Sequence, residues 1–144
     1  MPQVSEYNHT RRLFANGDVD PTQLKVMLLT GHTFSAAHTN ISSVEGDEVS
    51  GNGWAAGGVA IANASITTVA TDQARLAGDN INVTADGGQI GPATAYVIYQ
   101  DVTGSEVTLF HCEFDEAKTA DDGTPFRITW HPDGIHVWRA PNGS

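Results

Sequence analysis

The residues with the most chemical potential in this 144-residue chain surround a tryptophan, in the stretch "EVSGNGWAAGGVAI" from Glu48 to Ile61. Glycine-rich loops cradle phosphate when their backbone N–H groups converge at the start of a helix. Here Gly51, Gly53, Gly57 and Gly58 give G-x-G-x-x-x-G-G. That is neither the dinucleotide fingerprint nor the triphosphate loop, which needs a Lys followed by Ser or Thr. The continuation "GGVAIANASITTVAT" is rich in Val, Ile and Thr and favours strand over helix. The glycines are therefore read as turn-formers that present Trp54, since glycine reaches positive φ without steric cost.

Six histidines invite a metal reading, but their spacing offers no H-E-x-x-H, H-x-H or Cys/His pair. His32 and His38 fall in an expected loop, His111 in an expected strand, His131 and His136 around a turn, and His9 near the N-terminus. They are read as polar loop and strand residues, and no metal ligand is assigned. The acidic stretches at Asp18 to Asp20 and Phe114 to Gly123 lack the calcium-loop template and are read as solvated turns. So are the pairs Asp115 with Glu116 and Asp121 with Asp122. Cys112 follows His111 directly, and neighbouring strand residues face opposite sides, so His111 does not activate it. Phe110, Cys112 and Phe114 share a face, which makes Cys112 a small core residue. No catalytic group and no cofactor is assigned, and no enzyme is expected.

The tryptophans divide. Trp130 keeps the period of Phe126 and Ile128 and reads as core. Trp138 falls opposite Ile135 and Val137, where an interface is expected. Trp54 either plugs its own core or anchors a neighbour, and the polar "SSVEGDE" before it favours the neighbour. Exposed Trp54 and Trp138 would also suit a glycan-binding module.

These residues need elements to hold them. Residues 1–23 read as an N-terminal arm or short helix, with Tyr7, Leu13 and Phe14 as its large side chains, before a single β domain over 24–144. "LKVMLL" reads as a strand buried on both faces, followed by a loop with one helical turn around Ala36 to Val44. "VAIANASITTVAT" reads as one or two strands meeting near Asn63, and "NINVTA" as a half-buried strand. "ATAYVIYQD" and "VTLFHCEF" flank "VTGS" as a hairpin, and "HPDG" turns the chain into Ile135 to Trp138. With about eight short strands, the expected fold is all-β, an antiparallel sandwich or partly closed barrel.

The net charge of −10 excludes a general nucleic-acid surface, because phosphate affinity needs clustered Lys and Arg. Only Arg11 and Arg12 are paired, whereas Asp101 to Asp122 carries seven acids against Lys118. A single cysteine precludes an intrachain disulfide, and no apolar run or signal core points to a membrane or to secretion. A soluble product of the cytoplasm is expected.

The succession "NGDVD", "LKVMLLT", "EVSGNGWAAGG", "DNINVTADGGQIGPATAYVIYQD" and "FRITWHPDGIHVW" resembles a family of small virion proteins of tailed bacteriophages, along nearly the whole chain. The resemblance implies a virion structural protein made in the bacterial host cytoplasm, expected as a capsid cement or decoration protein on the major capsid protein. A neck, tail or baseplate component is the alternative, and a glycan-binding module the alternative of another class. A homo-oligomer, with a trimer as the expected form, follows from binding several sites on a symmetric shell. Its expected interface comprises Tyr7, Arg11, Arg12, Leu13, Phe14, Trp54 and Trp138.

Overall fold

The structure, a computed structural model of the chain, describes residues 4–6, 19–35, 37–70, 73–102, 106–130 and 135–139. Among them are eleven strands and no α-helix: β1 (Val4–Glu6), β2 (Leu24–Leu29), β3 (Glu48–Val49), β4 (Val59–Ala60), β5 (Ser65–Ala70), β6 (Gln73–Ala77), β7 (Ile81–Thr84), β8 (Ile90–Gln100), β9 (Thr108–Ala120), β10 (Pro125–Ile128) and β11 (His136–Arg139). All pairings are antiparallel. The main sheet runs β1-β9-β8-β2-β3, with β4 also on β2, and two smaller sheets run β10-β7 and β11-β6-β5. None closes into a barrel; the all-β expectation holds as an open, layered arrangement.

The aliphatic run of β2 is buried along almost its whole length because the main sheet is covered on both faces. Alternation sorts its side chains: Leu24, Val26 and Leu28 enter one core, Met27 and Leu29 the other. β8 and β9 form the expected hairpin, with Ala95 opposite Glu113, Tyr96 opposite Cys112 and Ile98 opposite Phe110. The larger core gathers Val26, Ile98, Phe110 and Cys112 of the main sheet with Leu76, Ile81, Phe126 and Ile128 of the smaller ones. That is a sandwich packing. The second core lies between the main sheet and segment 32–47, which contributes Phe34, Ile41 and Val44 over Met27, Leu29, Val97 and Tyr99.

Segment 32–47 covers the sheet without regular strands, and its backbone groups find specific partners. Asn40 caps a single 3-10 turn, Ile41–Ser43, through its side chain to the Ser42 N–H, and a second turn, Glu45–Asp47, follows directly. These two turns stand where one helical turn is expected. The segment is tied down at its middle and its far end: Ile41 N–H donates to the Glu106 carbonyl, just before β9, and Thr30 N–H of the β2 end to that of Asp47.

Elsewhere the strands split where the sequence breaks. Asn63, with φ of 56°, separates β4 from β5, as its place in "IANAS" implies. β10 and β11 lie either side of "HPDG", whose residues 131–134 are outside the described set. They pair with β7 and β6 respectively, so that sequence neighbours join different sheets. At the N-terminus, β1 extends the main sheet, with Val4 opposite Cys112 and Glu6 opposite Phe110. Over these three residues, the segment expected as an arm belongs to the chain's own sheet.

Candidate functional site

Two places concentrate unusual geometry. The first is the glycine loop, which spans the gap between β3 and β4, both paired to β2. Gly51 and Trp54 exchange backbone hydrogen bonds, N–H of Gly51 to the Trp54 carbonyl at 2.8 Å and the reverse at 3.1 Å. The two residues between them, Asn52 and Gly53, have φ of 56° and 110°. Positive φ at both central positions is the type I′ turn that Asn-Gly favours. A second turn follows, closed by Gly58 N–H on the Ala55 carbonyl, with Gly57 at φ 88° in its third position, as a type II turn requires.

The loop is clamped to its surroundings. Gly57 N–H donates to Glu48 Oε2 at 2.6 Å, and the Tyr99 hydroxyl donates to the Gly57 carbonyl. Asn52 Nδ2 donates to the Gln89 carbonyl at 2.7 Å, and Asp86 N–H to the Asn52 carbonyl at 2.8 Å. The N–H groups of Gly51, Trp54, Gly57 and Gly58 are thus all used on the protein itself. The glycines shape turns, as read from the sequence.

What they position is the correction. Trp54 is 1% exposed, lies in the larger core and meets the Phe126 ring edge-on at 5.4 Å between centroids. It fills its own domain and is not presented to a neighbour. The polar residues before it gave a misleading signal: they belong to the turns Ile41–Ser43 and Glu45–Asp47 and the start of β3, after which the loop folds Trp54 inward.

The second place is the face of the main sheet under segment 32–47. Gly31, with φ of 68°, turns the chain out of β2, and its N–H is held by Thr94 Oγ1 at 3.0 Å. The following His32 is thereby laid back over the sheet. Thr108 of β9 holds the other arm, donating its hydroxyl to the His38 carbonyl at 2.6 Å. His111, opposite Val97 in register, points to this same face while Cys112 enters the other core. The His32 ring centre is 5.5 Å from that of His38 and 6.0 Å from that of His111, and Phe34 packs on His111 at 5.0 Å.

The electrostatics of the trio are set by burial and by Asp47. Asp47 Oδ2 lies 2.7 Å from His32 Nδ1, an oriented carboxylate–imidazole contact. It fixes the orientation of the His32 ring. His32 Nε2, His38 Nδ1 and His111 Nε2 are all buried without a hydrogen-bond partner. Burial pushes the His111 pKa down to about 4, with Glu113 opposing and His32 adding to the shift, so its ring is neutral at pH 7.

Sequence reasoning missed this gathering because His111 is far from His32 and His38 along the chain. The available signal was a polar ring at an inward position of a strand buried on both faces. The remaining sequence candidates do not join it. Tyr7, Arg11, Arg12, Leu13 and Phe14 lie outside the described residues, as do His9 and His131. Trp138 is described in its backbone alone, opposite Ala74 in β11. Trp130 is core-associated, as expected: its Nε1–H donates to the Asp79 carbonyl at 2.8 Å, and it packs edge-on against Tyr96. Asp121 and Asp122 are exposed, Asp122 accepting from Gly87 N–H at 3.1 Å. Cys112 is buried, as read from the sequence.

No family model, curated protein or solved structure matches the chain. No helix among the described residues is long and apolar enough to cross a membrane.

Proposed function

We propose that this protein is a structural component of a tailed-bacteriophage virion, a cement or decoration protein that binds the major capsid protein and stiffens the head shell. The observation that carries this reading is the place of the "EVSGNGWAAGG" segment, on which the resemblance to small phage virion proteins chiefly rests. Its turns bridge β3 and β4, its side chains reach Gln89 and the core, and Trp54 locks the two layers together. The resembling motif thus serves rigidity, the property a shell-stiffening protein needs.

The partners follow from the same reading: the major capsid protein, and further copies of this chain in a homo-oligomer, a trimer. The experiment is to quantify the chain in purified particles against the major capsid protein and to locate it in a reconstruction. Copy numbers in the hundreds on the outer shell support cementing. Numbers near six or twelve move the assignment to the neck, tail or baseplate, and absence from the particle overturns it.

A further inference from the structure

We propose that segment 32–47 is an acid-released cover: protonation of His32 and His38 in the segment and of His111 in the sheet beneath lifts it and uncovers an apolar face. A charged imidazole carries two N–H donors and needs an acceptor for each. Each of these rings has one buried nitrogen without a hydrogen-bond partner, His32 Nε2, His38 Nδ1 and His111 Nε2. Charging any of them with the segment in place therefore buries an unsatisfied N–H on a cation, a costly state out of water. His32 stands 5.5 Å from His38 and 6.0 Å from His111 between ring centres, so its charge also disfavours charge on either neighbour. Lifting the segment gives the rings to water and removes both costs.

The charged groups around the rings come from each element packed there. Asp47 of the segment offers His32 a counter-charge, its Oδ2 lying 2.7 Å from Nδ1. On His111 burial dominates; Glu113 of β9 favours charge, His32 opposes it, and the pKa falls from 6.5 to about 4. β8 brings Tyr99, with Asp101, Glu106, Glu48 and Glu45 about it, and β2 brings Lys25, opposite Tyr99 and paired with Asp101 at 2.6 Å. β1 brings the uncharged Ser5, opposite His111. None of these described groups is an acceptor for the three nitrogens. Because the closed form holds His111 less protonated than a free imidazole, it is at full strength above pH 6.5 and weakens as pH falls toward 4.

The way the segment is held makes the opening local. It carries two 3-10 turns and a single bridge, Asn40 opposite Val107, whereas β8 and β9 share a long ladder. Its other ties are separate hydrogen bonds, such as the Thr108 hydroxyl on the His38 carbonyl. A unit with so few backbone ties opens at lower cost than the sheets do. Its release uncovers Met27, Leu29, Ala95 and Val97, while the larger core lies on the opposite face of the main sheet and keeps its packing. Acid thus converts a covered sheet into one with an exposed apolar face, a switch independent of where the protein acts.

The test is hydrogen–deuterium exchange of the full chain from about pH 7.5 to about pH 5, above the ordinary carboxylate range, read by mass spectrometry and corrected for intrinsic exchange. Amides of 32–47 should lose protection as pH falls, by up to about tenfold per pH unit for each proton taken up on opening, while those of β8 keep theirs. His111→Leu removes one titrating ring and should flatten that dependence. Where that change disturbs β9, His38→Leu, at a half-buried ring, gives the same reading. A variant that merely loosens the segment raises exchange at every pH and leaves the slope unchanged. Constant protection of 32–47 across the window overturns the proposal. So does loss in step with β8, and so does a slope that survives both substitutions.

Discussion

The indole of Trp54 meets the ring of Phe126 edge-on, at 5.4 Å and 67° between planes, and thereby joins the glycine loop to a strand that pairs in a different sheet. Both rings are essentially inaccessible, at 1% and 0% exposure. Edge-to-face contact sets the positive edge of one ring against the negative face of the other, adding to the area both bury.

Replacing that indole by a methyl group leaves a cavity that clamped turns cannot collapse into. Trp54→Ala should cost about 3–5 kcal/mol of stability, measured by urea unfolding. If the protein is the virion component proposed above, particle binding per folded molecule should be unchanged, because the ring is internal. A cost under about 1 kcal/mol with weakened particle binding would return Trp54 to an interface.

Gly58 and Gly51 separate two costs of side chains in this loop. A Cβ on Gly58 would lie 2.6 Å from the Val26 carbonyl oxygen, at φ of 104°. One on Gly51 meets nothing within 4 Å, at φ of 101°. Gly51→Ala should therefore cost only backbone strain, about 1–2 kcal/mol, and Gly58→Ala about 3 kcal/mol or more, because β2 must move as well. Equal costs in chemical denaturation would contradict the close approach.

Tyr99 makes alkaline stability predictable. Burial, reinforced by the charges of Asp101, Glu106, Glu48 and Glu45, pushes its pKa from 10 up to about 12. The folded state holds the phenolic proton more tightly than the unfolded chain, so this stabilisation is complete below pH 10 and is lost as pH rises toward 12. Tyr99→Phe should flatten the fall in unfolding free energy across that window by up to one proton. Tyr96, buried beside Cys112 and raised further, should keep part of the slope.

Cys112 offers a probe of opening. Its side chain is 3% exposed within the larger core, so a thiol reagent should label it only through unfolding. Labelling rates should follow global stability across denaturant. Fast labelling of the native protein would mean that the β9 edge opens locally, at the place where β1 pairs.

The sequence determined the parts that local chemistry dictates. Alternation in "NINVTA" and the aliphatic run of "LKVMLL" marked β7 and β2, and Asn63 marked the break between β4 and β5. These features depend on neighbours one to four residues away, as does the need for glycine at positive φ in the loop. Tertiary structure decided where the faces go. Trp54 follows a polar stretch, yet it enters the core because β3 and β4 both pair with β2 and force the loop between them inward. β10 and β11 are neighbours in sequence, but each finds its partner in an earlier strand. His111 meets His32 because Gly31 and Thr108 fold segment 32–47 across the β9 face. No spacing rule reads such a meeting, since the contact is made through the sheet's face and not along the chain.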